Sequence, residues 1–334
     1  VKENNKLMER ELINVGIKSS GYFVPEQVIE NSYFTTLDDD ISEEWITSRT
    51  GIYTRRKASD GEATSDMAYK AAKSALSNAG MSPDELDFII LATSSPDMFF
   101  PSTACIVQDK LGATRAGAFD LSAACAGFIY GLHSGYSMVA SGLYKNVMVI
   151  GAETLTRFVN WENKETSVLF GDGAGCVLIS PVEQGKEIIH CEVGADGSGA
   201  SILTLPAGGS RKPASEETVS NKLHYINMNG KETYKACIRN MTDNISSALS
   251  KCNLQVSDID ILITHQANKR IIEGIAKKLR FSEDKVYINV TYLGNTAAAS
   301  IPIGMAECME QNKFQKGDNI LLSTFGAGLT WGTC

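Results

Sequence analysis

Short uninterrupted apolar runs recur along the chain, at Phe88–Ala92, 147–150 and Ile261–Thr264. Runs of four or five apolar residues predict strands whose two faces are both covered, as in a sheet sandwiched between helices. Between them the period changes to that of a helix. Thr64–Ala79 places Met67, Ala71, Ala75 and Leu76 on one face, and residues 232–252 do the same with Tyr234, Ile238, Met241, Ile245 and Leu249. Further strands are predicted at 12–20, 176–179, 188–194 and 319–323. Residues 21–25 form a turn, 38–56 and 155–167 polar insertions, and 92–102 and 197–219 loops.

The pattern is written twice. Residues 82–92 (SPDELDFIILA) resemble 255–265 (QVSDIDILITH), each after a helical stretch. A second pair follows. Ala118-Phe119-Asp120-Leu121 heads a helix of small residues and then the strand within 145–150. Tyr287-Ile288-Asn289-Val290 leads to Thr296-Ala297-Ala298-Ala299-Ser300 and then the strand at 319–323. The copies lie roughly half the chain apart, too far for a solenoid repeat. The expectation is an α/β fold of two βαβαβ halves, 1–180 and 181–334, packed together.

Composition narrows the function. The 334 residues are 43% hydrophobic and 21% charged, with a net charge of −8 and a pI near 5.2. That argues against nucleic acid as a partner. No apolar run reaches the roughly 20 residues of a membrane span, and residues 1–10 are too polar for a secretory leader. Eight cysteines are scattered without a CxxC pair or a cluster with the four histidines, so no metal is expected. Reduced thiols and a cytoplasmic protein follow.

Three positions carry candidate chemistry. Cys125 stands where a strand ending at Leu121 gives way to a helix, and orphan amides there favour a thiolate. Core packing explains an isolated cysteine equally well. His265 ends an apolar strand, on the side where α/β sheets place their sites. Gly294-Asn295-Thr296 occupies in the second repeat the strand-to-helix junction that holds Cys125 in the first. That relation brings the three together. Cys, His and Asn in this order also occur in papain-like proteases, but the local pattern around the nucleophile and the fold differ.

Ala123-Ala124-Cys125-Ala126-Gly127-Phe128, His265-Gln266-Ala267-Asn268-Lys269-Arg270-Ile271 and Gly294-Asn295-Thr296-Ala297-Ala298-Ala299-Ser300-Ile301-Pro302 resemble the active-site motifs of β-ketoacyl-acyl-carrier-protein synthase III. That family belongs to the thiolase superfamily of condensing enzymes. The segments 43–52, 100–102, 170–175 and 325–332 match too, so the resemblance covers nearly the whole chain. It implies a thiolase-like, layered α-β-α-β-α architecture and a homodimer. It implies decarboxylating condensation of an acyl-CoA primer with malonyl-acyl carrier protein (ACP) to 3-ketoacyl-ACP, initiating fatty-acid or polyketide chains with no cofactor. Cys125 would carry the acyl group, and the amides of Cys125 and Ala327 would form an oxyanion hole. His265 and Asn295 would stabilise the enolate left as CO2 departs; decarboxylation needs no base, so a donor such as Asn suffices.

The same resemblance assigns Trp45 to adenine stacking, Arg49 to a CoA phosphate and Asn268 to the pantetheine arm. Lys164 stands where an arginine usually closes the adenine stack, with Trp161 nearby. Lys235, Arg270, Lys277 and Lys278 would dock the acidic carrier protein, and Phe100 would reach across the dimer to close the partner's primer pocket. Ala327 replaces a usual glycine. The alternatives are a non-decarboxylating acyltransferase on the same frame and a catalytically silent thioester-binding protein.

Overall fold

The computed structural model describes residues 13–37 and 40–334; the polar stretch at 1–10 and the predicted start of the first strand at 12 lie outside them. The N-terminal half supplies β1 (Val15–Phe23), β2 (Gln27–Glu30), α1 (Asn31–Thr35), α2 (Glu43–Thr50), β3 (Thr54–Lys57), α3 (Thr64–Ala79), β4 (Phe88–Ala92), α4 (Thr103–Leu111), β5 (Gly117–Leu121), α5 (Gly127–Ala140), β6 (Val147–Glu153) and β7 (Gly173–Pro181). The C-terminal half supplies β8 (Glu192–Ala195), β9 (Leu203–Thr204), α6 (Glu216–Ser220), β10 (Asn227–Met228), α7 (Gly230–Lys251), β11 (Ile261–Thr264), α8 (Lys269–Leu279), α9 (Val290–Leu293), α10 (Ser300–Glu310), β12 (Ile320–Gly326) and β13 (Thr330–Thr333).

Two sheets repeat one topology. The first runs β5-β4-β6-β7-β1, with β5, β4 and β6 parallel and β7 antiparallel to both its neighbours. The second runs β11-β12-β13-β8, with β11 parallel to β12 and β13 antiparallel to both its neighbours. Only the edge differs. The strand predicted at Tyr287 to Val290 shrinks to one parallel bridge between Val286 and Leu262. There the Asn289 and Val290 amides donate to the Gln266 side chain instead of to a ladder.

The repeat persists in hydrogen bonds. Asp87 accepts from the Lys145 and Asn146 amides, as Asp260 accepts from Asn319. The Asn146 side chain donates to the Glu85 carbonyl, as Asn319 donates to Asp258.

Alternating residues explain the layers. On β6, Val147 and Val149 face a core shared with Phe128, Ile129 and Leu132 of α5, Ile301 and Met305 of α10, and Ile263 and Leu322 of the second sheet. Met148 and Ile150 point the other way, onto α3 and α4. Leu262 and Leu321 likewise face α7 and α8. The order is helices, sheet, helices, sheet, helices, with α5 and α10 in the middle. Both faces of β6 are buried, as its apolar sequence requires.

Candidate active site

The central helices begin with the same irregular turn. After β5 the chain makes a 3-10 turn, Ala124–Ala126, before α5; after Asn295 it makes the turn Ala297–Ala299 before α10. Ala124 and Ala297 hold φ of 48° and 42°, the left-handed region that costs an L-residue about 1 kcal/mol. Aligning the two turns on Ala124 and Ala297 pairs Cys125 with Ala298, and Asn295 with Ser122. Asn295 therefore shares the junction of Cys125 but not its position, which corrects the simpler expectation.

Cys125, His265 and Asn295 line one cavity of about 1220 Å³. Trp45, Arg49, Lys164, Asn268, Lys235 and Arg270 line it as well. Ala327, Phe100, Lys277 and Lys278 are not among its walls.

His265 follows β11 and is buried; its backbone amide donates to the Ser323 carbonyl. Its Nδ1 lies 2.8 Å from Ser300 Oγ, at the first residue of α10. Burial lowers its pKa to about 4, so the ring is neutral near pH 7. Ser300 Oγ already accepts from the Gln266 amide, which leaves its proton for Nδ1. That arrangement gives the tautomer with hydrogen on Nε2, a donor. Asn295 Oδ1 accepts from the Ala297 amide at 2.9 Å, so its Nδ2 is the end left to donate.

The electrostatics at Cys125 overturn one expectation. Its thiol is pushed up to about 12, chiefly by burial and then by the charge of Glu153. The side chain touches the cavity but is crowded by protein, and the extra turn separates it from α5. Loss of hydration outweighs the helix-terminus effect that favoured a thiolate. Cys125 therefore rests as a thiol.

Glu153 ends β6 and is fully buried. It accepts from Ser95 Oγ at 2.6 Å, from the Ser94 amide at 3.1 Å and from the Ala298 amide. Burial pushes its pKa up to about 7. In the other repeat Gly326 takes its place. A Cβ there would stand 2.9 Å from the amide nitrogens of both Cys125 and Ala126. The bare Cα of Gly326 keeps side-chain atoms off the Cys125 amide, whereas the Ala298 amide is occupied by a carboxylate. Thr324 Oγ1 donates to the Cys125 carbonyl, and Thr330 Oγ1 to those of Ala123 and Ala327. Ser300, Glu153, Gly326, Thr324 and Thr330 escaped sequence reasoning as site residues, although Ser300, Gly326 and Thr330 fell within matched segments.

The outer residues are arranged less simply. The Arg49 guanidinium lies over the Trp45 ring at 4.6 Å, covering one face of it. Lys164 lies 3.7 Å from Asp40. Trp161 instead stacks on Phe34 at 6.0 Å, away from the cavity walls. Asn268 caps α8 through the Arg270 amide and donates to the Arg49 carbonyl, tying α8 to α2. Lys235 pairs with Glu232, and Lys278 donates to Thr242 of α7. Lys277 is exposed in the last turn of α8. Phe100 is 85% exposed, beside exposed Met98 and Phe99. Among the described residues no cluster of three or more His, Cys, Asp or Glu could hold a metal, and no helix is long and apolar enough to cross a membrane.

Known proteins resemble this chain over nearly its whole length. The family described as 3-oxoacyl-[acyl-carrier-protein (ACP)] synthase III matches residues 119–197, and its C-terminal counterpart matches 249–334. The beta-ketoacyl-[acyl-carrier-protein] synthase III of Caldanaerobacter subterraneus subsp. tengcongensis is 50% identical over 96% of this chain and 97% of that protein. That of Clostridioides difficile is 50% identical over 95% and 96%. The crystal structure of 3-oxoacyl-[acyl-carrier-protein] synthase III from Aquifex aeolicus VF5 matches with a TM-score of 0.88 and 43% identity, covering 96% of this chain and 98% of that one. The priming beta-ketosynthase of the R1128 polyketide pathway matches with a TM-score of 0.88 and 30% identity, covering 97% and 96%.

Proposed function

The chain belongs to the β-ketoacyl-acyl-carrier-protein synthase III family, and we propose that Cys125, His265 and Asn295 carry out its reaction. It is an acyltransferase that condenses an acyl-CoA primer with malonyl-ACP, with loss of CO2, and so initiates fatty-acid synthesis. The carrying observation is the single cavity that these three side chains share.

In the first half-reaction the Cys125 thiol attacks the primer thioester. The carbonyl oxygen becomes an oxyanion against the Cys125 amide, with the Ala327 amide as second donor. The thiol rests protonated, its pKa pushed up to about 12, so its proton must come off as the sulfur attacks, and it ends on the departing CoA sulfur.

In the second half-reaction malonyl-ACP enters. His265 Nε2–H and Asn295 Nδ2–H donate to its thioester carbonyl. Loss of CO2 leaves an enolate held by those two donors. Its carbon attacks the acyl-Cys125 thioester and releases 3-ketoacyl-ACP. A neutral His and an Asn cannot take a proton at their donating ends, and decarboxylation requires none taken.

The remaining assignments follow. Trp45, Arg49, Lys164 and Asn268 bind the CoA and pantetheine arms at the cavity mouth. The Arg49–Trp45 contact supplies one face of the adenine stack from the start. Lys235 and Arg270 are the carrier-protein contacts nearest the opening, with Lys277 and Lys278 farther along α8. Exposed Met98, Phe99 and Phe100 favour a homodimer in which Phe100 closes the partner's primer pocket. The free cysteines favour a cytoplasmic location.

Mass spectrometry after incubation with acetyl-CoA tests the reading. Wild type should gain one acetyl group on Cys125. Cys125→Ala should gain none and lose condensation by on the order of 10⁴-fold or more. Normal condensation by Cys125→Ala would sink it.

A further inference from the structure

A second sulfur site lies at the edge of the second sheet, apart from the cavity just described. β13 pairs antiparallel with β8, with Thr333 opposite Glu192. Continuing that register by one residue sets Cys334 opposite Cys191. Cys334 uses its amide and carbonyl to bond Leu322 of β12, on its other side. Toward β8 it therefore occupies a non-hydrogen-bonded position, where facing Cα atoms come within about 4.5 Å. That spacing falls in the range a disulfide bridges without backbone movement. The two thiols interact closely enough to shift each other's titration in opposite directions, and both residues are partly exposed.

His133 of α5 completes the group. Its Nδ1 lies 3.0 Å from the Cys191 carbonyl, which holds the ring close enough to favour the Cys191 thiolate. Glu192, itself paired with Lys251 and His190, opposes them, and Cys252 lies close to Cys334. The facing Cys334 side chain, then His133, pull the Cys191 thiol down to about 7. Cys125 stands at about 12. Peroxide reacts with thiolate, so at pH 7 it has a target at Cys191 and almost none at Cys125.

We propose that Cys191 and Cys334 are a peroxide-oxidisable dithiol, with Cys191 the attacking and Cys334 the resolving sulfur and His133 holding Cys191 ready. The Cys191 thiolate attacks one oxygen of hydrogen peroxide. An S–O bond forms, the O–O bond breaks, and hydroxide leaves to be protonated to water. The Cys334 sulfur then attacks the Cys191 sulfenic acid. The S–S bond forms, the S–O bond breaks, and a second water leaves carrying the Cys334 proton. Two thiols are oxidised by two electrons and one peroxide is reduced to two waters. A dithiol reductant reverses the bridge by exchange. The bridge would staple β8 to β13 and leave the nucleophile free.

The test is a time course of the full chain with hydrogen peroxide at pH 7. Samples are denatured in N-ethylmaleimide, digested and analysed by mass spectrometry. The expected product joins the Cys191 and Cys334 peptides with loss of two hydrogens, reverses with dithiothreitol, and forms while Cys125 is still alkylated. Cys334→Ser should stop at a Cys191 sulfenic acid that dimedone captures, with condensation unchanged before peroxide is added. His133→Gln should slow oxidation by about 10-fold at pH 7, through the smaller thiolate fraction. Consumption of Cys125 before Cys191, or capture of sulfenic acid at Cys334 rather than Cys191 in the wild type, overturns the proposal. So does equal oxidation in the Cys191→Ser chain.

Discussion

The junctions that open α5 and α10 have the same backbone and different chemistry. Both turn through an alanine at positive φ and a 3-10 turn onto a central helix. The first carries Ser122, Cys125 and Gly127; the second carries Asn295, Ala298 and Ser300 at the corresponding places. Around them the strand ends differ as well. Ala92 lies against Gly127, where an added Cβ would meet the Ala92 Cβ at 2.9 Å. Their counterparts are His265 and Ser300, joined by a hydrogen bond. Glu153 fills the Ala298 amide, while its counterpart Gly326 puts no side chain against the Cys125 amide. Duplication supplied one geometry twice. In the mechanism proposed above, one copy supplies the nucleophile and the other a pair of oriented donors. Each half closes by packing or internal hydrogen bonds what the other leaves for substrate.

The largest break in that division is Asn295→Ala, which removes a donor from the second junction and leaves the first intact. Condensation should fall by about 10²–10³-fold, the usual cost of one oxyanion donor. Acetyl transfer from CoA to Cys125 should persist. Radiolabelled CO2 release from malonyl-ACP, measured beside acyl-enzyme mass spectrometry, separates the two half-reactions. Equal loss of both would mean that the junctions do not divide the work.

That division was half visible in the sequence. Thr64–Ala79, Phe88–Ala92 and Ile261–Thr264 have the predicted bounds, because each is dictated by local apolar period and burial. The edge strand near Tyr287 failed because Gln266, far away in sequence, takes its amides. That Cys125, His265 and Asn295 meet in one cavity was legible from motif order and the repeat. Glu153 was not, since a glutamate at a strand end looks solvated until the turn at Ala298 closes over it. The protonation of Cys125 was hidden for the same reason: desolvation is a property of the assembled site.

A smaller effect follows from pH. Burial holds His265 at about 4, below its ordinary value, so the unfolded chain takes up the proton first on acidification. Its contribution to stability is present above about 6.5 and is lost as pH falls toward 4, by about 3 kcal/mol. Glu153, raised to about 7, has the opposite sign. Its neutral form is the one the fold favours, so stability is full below about 4.5 and falls by about 3 kcal/mol as pH rises through 7. Glu153→Gln should flatten the alkaline side of a urea-unfolding series between pH 5 and 8 and leave the acidic side unchanged. Parallel curves for the two proteins would remove Glu153 from the account.

The smallest change makes the second junction more like the first. Ser300→Ala deletes the hydroxyl beside His265 Nδ1 and leaves the turn and α10 in place. A buried ring nitrogen without its partner costs about 1–3 kcal/mol, part of it recovered if the ring shifts to the other tautomer. That shift moves the hydrogen off Nε2, where the malonyl carbonyl needs it. Decarboxylation kcat should therefore drop by about 10-fold, while primer KM and acylation of Cys125 stay constant. The ¹⁵N shifts of His265 give the deciding readout. In the wild type Nε2 should carry the hydrogen, and in Ser300→Ala the two nitrogens should average toward each other. If the tautomer is unchanged while kcat falls, Ser300 acts by packing α10 against the second sheet. The hydroxyl would then be an accident of the repeat rather than the feature that turns the second junction into a donor site.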